Sequence, residues 1–173
     1  MVFTDIFDLN KRLQEYIEFM QKCSTVSFMQ AAINVALQAP KIEVPIGAVV
    51  VLDGDIIATA HNRRESDFDP TAHAEILALR KAGEILKRWN LNDCDIYVTL
   101  EPCAMCAGAI VNARIRTLYF GAFDKRFGAV KSLYNIGTDA KQNHTFNAVG
   151  GVMESDCAKL LTNFFIKIRS KGK

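Results

Sequence analysis

The 173-residue chain contains no long apolar run, no internal repeat and no low-complexity tract. A transmembrane helix needs about 20 consecutive apolar residues, so the sequence predicts no membrane span. The first twenty residues carry four acidic side chains, which argues against a secretory signal and against an acid-poor transit peptide. We therefore expect a cytoplasmic protein whose length suits one domain with a proper core.

The chain has only five cysteines, which is an odd number. Nothing in the sequence points to an oxidising compartment. This count does not predict a disulfide framework. Cys23, Cys94 and Cys157 are scattered and are expected to be small buried apolar residues. Cys103 and Cys106 have CxxC spacing, which predicts metal binding or redox chemistry.

The net charge of +2 hides an asymmetry along the chain. Residues 1–111 hold 10 Lys and Arg against 15 Asp and Glu, whereas residues 112–173 hold 11 against 4. A basic C-terminal third suits a polyanionic partner such as nucleic acid. On charge alone, a solvated basic face that keeps the protein soluble is an equally good explanation.

Apolar spacing of three and four residues predicts a helix over 5–22 and a second helix over 27–38. A capping-box pattern over 27–30 favours a helix start there. Residues 23–26 are interpreted as a linker, so the chain is predicted to consist of an N-terminal helical extension, 1–26, and a domain, 27–173.

From residue 46 the pattern changes to strands and helices in alternation. Asp53-Gly54 between two β-prone runs predicts a hairpin over 47–60, and Asp69-Pro70 predicts the N-cap and first residue of a helix. The remaining predicted elements are strands over 95–100, 116–121 and 148–153 and helices over 102–112 and 155–169. Together they predict an α/β fold, a three-layer α/β/α sandwich around a mixed five-stranded sheet.

Two short segments carry the chemistry: His73-Ala74-Glu75 and, 28 residues after Glu75, Cys103-Ala104-Met105-Cys106. Zinc prefers nitrogen and sulfur ligands, and a catalytic zinc site uses three protein ligands and leaves one position for water. We therefore predict that His73, Cys103 and Cys106 bind one Zn²⁺ per subunit. The start of a helix also lowers the pKa of a thiol, which favours the metal-binding thiolate.

Glu75 is the predicted catalytic residue. On a regular helix His73 and Glu75 lie roughly 200° apart, so they converge only if His73 stands at the start of the helix. Glu75 could then reach the attacking water without ligating the metal, and act as general base and general acid.

Other interpretations of the cysteine pair stay open on the residues alone. The CxxC pair could be a redox pair, or His61 or His144 could complete a structural Cys2His2 zinc site. The structural site is less favoured, because it leaves Glu75 unexplained.

With these motifs assembled, the chain from Ser27 to Arg169 resembles the cytidine-deaminase superfamily, and more closely its bacterial tRNA adenosine deaminases. The matching segments are 44–49, 61–63, 69–75, 97–109, 120–122 and 164–165. The resemblance implies a cytidine-deaminase-like fold and hydrolysis of the 6-amino group of adenosine at the wobble position of a tRNA anticodon. It also implies a homodimer and a tRNA anticodon stem-loop as partner.

The resemblance further assigns roles to single residues. Asn62 would contact the flipped nucleotide, Val44 and Leu100 would line the base pocket, and the backbone N–H groups of Ala74 and Cys103 would steady the attacked centre. The residues that would hold the anticodon loop are Asp124, Arg126, Asn143, Phe165 and Arg169.

Two rival functions remain. Guanine deaminases share the Asp69–Glu75 motif, so a small-molecule deaminase acting on guanine or a cytosine derivative is the nearest alternative. A non-catalytic zinc or RNA-binding module is the more distant one. The residues around the CxxC pair and the basic C-terminal third favour the tRNA enzyme.

Overall fold

The computed structural model describes the backbone of residues 2–171 and the side chains of residues 13–16 and 20–170. The helices are α1 (Val2–Ala36), α2 (Arg64–Asp67), α3 (Ala74–Leu86), α4 (Ala104–Asn112) and α5 (Glu154–Lys171). The strands are β1 (Gly47–Leu52), β2 (Asp55–His61), β3 (Cys94–Leu100), β4 (Thr117–Ala122) and β5 (Asn147–Gly150). No helix of the described residues is long and apolar enough to cross a membrane.

The five strands form one mixed sheet in the order β2-β1-β3-β4-β5. β1 pairs antiparallel with β2 and β3, whereas β3–β4 and β4–β5 are parallel pairs. The β1–β2 hairpin turns at Asp53 and Gly54, whose φ angles of 51° and 88° are those of a primed turn. The predicted hairpin and five-stranded sheet are therefore confirmed.

Helices cover both faces of the sheet, because strand side chains alternate between the faces. One buried cluster joins alternate strand residues to α3 and α4, and includes Val50, Ile96, Leu118, Ala78 and Ile110. The cluster on the other face joins the intervening strand residues to α1 and α5, and includes Val49, Tyr97, Met29, Ile33 and Cys157. This arrangement is the predicted three-layer α/β/α sandwich.

The predicted break between two N-terminal helices is wrong. α1 runs from Val2 to Ala36 without interruption, so residues 23–26 are helical and the capping-box pattern from Ser27 lies inside the helix. The segment contains neither Gly nor Pro, and nothing in its backbone chemistry stops a helix. Met29, Ala32, Ile33 and Ala36 are buried against the sheet, whereas the described side chains of 13–16 and 20–24 are exposed. The division at residue 26 stays a prediction.

Gly47 sets how closely α1 approaches the sheet. Its N–H donates to Thr99 Oγ1 at 3.2 Å, and a Cβ built on Gly47 would collide with the Ala32 carbonyl oxygen and lie 2.6 Å from the Ala36 nitrogen. Backbone atoms of a packed helix cannot give way as a flexible side chain can. The residue must therefore be glycine for β1 to pack against α1.

We expect Gly47→Ala to lower the free energy of unfolding by about 1–3 kcal/mol, since it overpacks the contact between α1 and β1. Urea unfolding followed by circular dichroism measures the change. The matched control is Gly108→Ala in α4, where a Cβ meets nothing within 4 Å and alanine should add about 0.5–1 kcal/mol. Equal urea midpoints for Gly47→Ala and the parent would contradict the close packing.

Candidate active site

The predicted site residues gather at one edge of the sheet. The amino end of β1 lies there beside the carboxyl ends of β2 and β3, because Gly47 pairs with His61 and Ala48 with Val98. The carboxyl end of β4 joins them, since Leu100 pairs with Ala122. Every loop that leaves this edge can therefore contribute to a single site.

His73 caps the start of α3. It has extended backbone angles, φ −77° and ψ 150°, and the first helical residue is Ala74. His73 thus stands outside the regular helix, which is the position that lets it converge with Glu75.

The prediction that α3 begins at Pro70 with Asp69 as its N-cap is wrong. Asp69 Oδ1 accepts hydrogen bonds from the N–H and the hydroxyl of Thr71, both at 2.7 Å. These local bonds close a turn that ends before α3 begins, and they lower the pKa of Asp69. A side chain that bonds its neighbours two residues on competes with helix capping.

α4 begins two residues later than predicted. Cys103 is its N-cap, with φ −71° and ψ 172°, and Ala104 is its first helical residue. Cys106 follows in the first turn, so the two sulfurs still face the same side. The starts of α3 and α4 both lie at the site.

Three potential metal ligands meet between these two helix starts. His73 Nδ1 lies 3.5 Å from Cys106 Sγ and 3.8 Å from Cys103 Sγ, and suitable ligand atoms of all three residues lie within 4.8 Å of one another. In the described part of the chain this is the one group of His, Cys, Asp and Glu side chains assembled to hold a metal ion. His61 and His144 lie outside this group. Their ring nitrogens instead contact the carbonyl oxygens of Asn62 and Ile115.

The two cysteines differ in acidity. A hydrogen bond from Cys106 and a second one with His73 lower the pKa of Cys103 to about 4 against the opposing effect of burial. The same hydrogen bond, together with burial, raises the pKa of Cys106. The hydrogen bond with Cys103 raises the pKa of His73. One thiolate is thus already favoured by the protein, as metal binding requires.

Glu75 is buried beside this group, with 4% of its surface exposed. Its Oε2 has no hydrogen-bond partner among the described residues. Burial raises the pKa of the carboxyl above its usual range. An unpartnered buried carboxyl is costly, and at a catalytic site it is free to exchange a proton with a bound molecule.

A cavity of about 480 Å³ opens onto His73, Glu75 and Cys103. Six residues that the family resemblance assigns to substrate line its wall: Val44, Asn62, Leu100, Asp124, Arg126 and Phe165. The volume lies within the range of pockets that hold small organic ligands. A single flipped nucleoside is a ligand of this size.

Asn62 differs in one respect from its expected role. It is almost fully buried, and its Oδ1 accepts a hydrogen bond from the Ala74 N–H at 2.9 Å. The Ala74 N–H is therefore engaged by a side chain, and its role as a donor to the attacked centre stays a prediction. Asn62 instead fixes the start of α3 beside the cavity.

Asn143 and Arg169 do not line the cavity. The Asn143 carbonyl accepts a 2.6 Å hydrogen bond from Arg114, and the neighbouring His144 contacts the Ile115 carbonyl. Arg114 and Ile115 precede β4, so they lie at the edge of the sheet opposite the cavity. The six residues of β4 separate these two edges by about 20 Å. Arg169 lies a turn beyond Phe165 on α5, and its side chain is exposed.

Glu101 was not predicted as a site residue, although it organises the loop after β4. Its buried carboxylate accepts hydrogen bonds from the N–H groups of Asp124 at 3.1 Å, Val130 at 3.2 Å, Lys131 at 2.7 Å and Ser132 at 2.8 Å, and from the Ser132 hydroxyl. Burial alone would raise the pKa of Glu101, but these hydrogen bonds outweigh it and lower the pKa. The available signal in the sequence was a glutamate directly after a predicted strand.

Five further residues that sequence reasoning missed line the cavity: Ile46, Arg64, Phe123, Phe127 and Leu161. Arg64 comes from the short helix α2, between the predicted hairpin and the predicted helix from Pro70. Phe123 and Phe127 belong to the loop that Glu101 holds, in a region without periodic pattern. No spacing rule connects these residues, because they meet only in the folded chain.

Comparison with known proteins agrees with this geometry. A model of the MafB19-like deaminase family matches residues 24–169. The tRNA-specific adenosine deaminase of Bacillus subtilis strain 168 is 46% identical over 147 residues, which cover 84% of this chain and 91% of that protein. The enzyme of the same name from Haemophilus influenzae is 43% identical over 147 residues, covering 84% of this chain and 85% of its own length.

Solved structures of deaminases are also similar to this chain. One from a study of A-to-I editing by tRNA:A34 deaminases at the wobble position of transfer RNA has a TM-score of 0.75 and 47% identity, and covers 78% of this chain and 99% of that chain. A guanine deaminase from Bacillus subtilis is 41% identical with a TM-score of 0.54, covering 56% of this chain and 63% of its own. By fold, motif and identity over most of its length, the chain belongs to the MafB19-like deaminase family and, within it, to the tRNA-specific adenosine deaminases.

Proposed function

We propose that this protein hydrolyses adenosine to inosine and ammonia at the wobble position of tRNA, using one zinc ion per subunit. The observation that carries the proposal is the junction of α3 and α4, where one histidine and two cysteines meet beside an unpartnered buried carboxyl. The family membership supplies the substrate class, since the two relatives at 43–46% identity over 84% of the chain are tRNA-specific adenosine deaminases.

The donor set fits zinc. One imidazole nitrogen and two sulfurs are the ligands of a catalytic zinc site with an open fourth position, and His73, Cys103 and Cys106 would hold the ion. When bound, zinc supplies the Lewis acidity that makes water a nucleophile near neutral pH. The lowered pKa of Cys103 supports this assignment, because the ligand must be a thiolate.

Glu75 carries the protons. Burial raises the pKa of Glu75 above its usual range, which favours a carboxyl that can hold a proton as well as release one. Glu75 would move one proton of the attacking water to a ring nitrogen, and then the remaining proton, from the hydroxyl added to the ring, to the leaving amino group. Water supplies the oxygen of inosine, and ammonia carries away the nitrogen.

The remaining cavity residues bind and orient the substrate. Val44 and Leu100 provide apolar walls for the purine, and Asn62 holds the start of α3 where the nucleotide enters. Asp124, Arg126 and Phe165 lie at the wall from which the rest of an anticodon loop would extend. The net positive charge of residues 112–173 suits the phosphates of that loop. A tRNA substrate also agrees with the cytoplasmic location that the sequence predicts.

Two copies of the chain are proposed to associate. A groove of about 820 Å³ between α3 and α4 lies apart from the catalytic cavity, and Trp89 on its wall is 70% exposed. Ile85, also exposed, lies in the same part of α3. Large exposed apolar groups around a groove are typical of protein interfaces.

Glu75→Gln should lower kcat about 1000-fold, because it removes the proton carrier, while the zinc content stays near one ion per chain. Cys103→Ser should instead leave the protein with far less than one zinc ion, since a ligand is lost. Atomic absorption on the purified variants measures the metal. Loss of zinc from Glu75→Gln would contradict its role as a proton carrier outside the ligand set.

The substrate is tested with a transcribed tRNA that has adenosine at the wobble position, beside free guanine, adenosine, cytosine and cytidine. We expect inosine only in the tRNA, and none in a control transcript with guanosine at that position. The KM for tRNA should rise steeply between 50 and 200 mM salt, because each phosphate contact releases counterions. Turnover of free guanine with an unchanged tRNA would instead assign the protein to the guanine deaminases. Guanine deamination is the second candidate function, because one guanine deaminase is 41% identical to this chain.

Light scattering should give a mass of twice 19.3 kDa at micromolar concentration. Trp89→Glu should shift the protein toward the monomer, because it buries a charge in an apolar interface. Phe68→Glu is the matched control, since Phe68 is 93% exposed and lies outside that groove. A monomeric parent protein would refute the dimer, and a dimer that survives Trp89→Glu would place the interface elsewhere.

A further inference from the structure

Phe127 is an exposed aromatic residue at a binding cavity. It is 61% exposed, and it lines the cavity that contains the metal-ligand group. Exposing a phenylalanine ring to water is unfavourable. A large apolar side chain at such a place points to an interaction with a ligand.

The ring is presented by a fixed turn. The N–H groups of Arg126 and Phe127 donate to Asp124 Oδ1 at 2.8 and 3.2 Å, and the Gly128 N–H donates to the Asp124 carbonyl at 2.9 Å. Glu101 holds the same turn through the Asp124 N–H. Phe127 therefore has a defined position relative to the cavity, and little ordering remains when a ligand binds.

Arg126 completes a stacking surface with Phe127. Its guanidinium carbon lies 5.3 Å from the centre of the Phe127 ring, within the range of a cation–π contact. The exposed ring area remains for a second planar group, and the guanidinium adds positive charge beside it. An aromatic ring paired with a cation is the usual platform for an unpaired base and its phosphate.

Phe123, on the same loop, has a different role. Its ring packs edge-on against Phe120 at 5.1 Å, with an interplanar angle of 85°, and is 41% exposed. Phe123 thus ties the start of the loop to the core, whereas Phe127 and Arg126 extend from the loop toward the cavity mouth.

We propose that Phe127, together with Arg126, stacks on an unpaired base next to the adenosine that enters the cavity. The inference rests on the proposed function and adds a contact that recognises the neighbouring nucleotide. An RNA loop suits this contact, because its bases can unstack and splay outward onto aromatic side chains. A free nucleobase substrate has no neighbouring base and would leave the ring unused.

The test uses an anticodon stem-loop with 2-aminopurine at either position flanking the wobble adenosine, bound to Glu75→Gln protein so that no turnover occurs. Phe127→Leu should weaken binding about ten-fold and reduce the change in 2-aminopurine fluorescence at one flanking position, because leucine cannot stack. Phe127→Tyr should restore both. Phe68→Leu, at an exposed site that does not line the cavity, should behave like the parent.

Unchanged affinity and fluorescence in Phe127→Leu would overturn the stacking proposal. Equal weakening by Phe127→Leu and Phe127→Tyr would also overturn it, since tyrosine retains an aromatic ring. Urea unfolding checks that each variant is folded. Inosine formation by the protein with Glu75 intact is measured separately, so a failure of the stacking contact is distinguishable from a failure of the proposed function.

Discussion

The structure depends on one constraint, which is that the starts of α3 and α4 meet at the same edge of the sheet. His73 and Cys103 each occupy the cap position of a helix, so both side chains leave the backbone before helical geometry fixes their direction. Their helices pack side by side on one face of the sheet. This packing brings ligands from two distant segments within 4.8 Å of one another. The same junction buries Glu75, so the packing that assembles the proposed metal ligands also places the proposed proton carrier beside them.

A second layer of polar contacts holds the substrate side of the site. Glu101 follows β3 directly and binds the backbone of the loop after β4, while Asn62 follows β2 and binds the backbone at the start of α3. Both are buried polar side chains that accept hydrogen bonds from main-chain N–H groups. A buried acceptor without donors is unfavourable, so the loop is held in the conformation that brings its N–H groups to that acceptor. Such contacts fix the conformation of a loop that has no regular secondary structure. The loop with Asp124 and Arg126 is irregular, yet its shape is determined by Glu101.

The relation between the site and its relatives also has a physical basis. Zinc deaminases of nucleobases use one pattern of metal ligands and glutamate for the same hydrolytic chemistry. The features that would recognise the proposed substrate therefore lie around the cavity, outside that pattern. In this protein those features come from α2, the loop after β4 and α5. Identity to the guanine deaminase extends over a smaller part of the chain than identity to the tRNA enzymes.

The sequence alone predicted the elements whose evidence is local: the alternating strands, the Asp53-Gly54 hairpin, the order of helices and strands, and the HxE and CxxC segments. The tertiary structure decided what local pattern cannot specify. It added Phe127 and Arg64 to the cavity and separated Asn143 from it. These placements depend on contacts between residues far apart in the chain, whose partners no periodicity identifies. The uninterrupted α1 and the turn at Asp69 are local features in which one local preference prevailed over another.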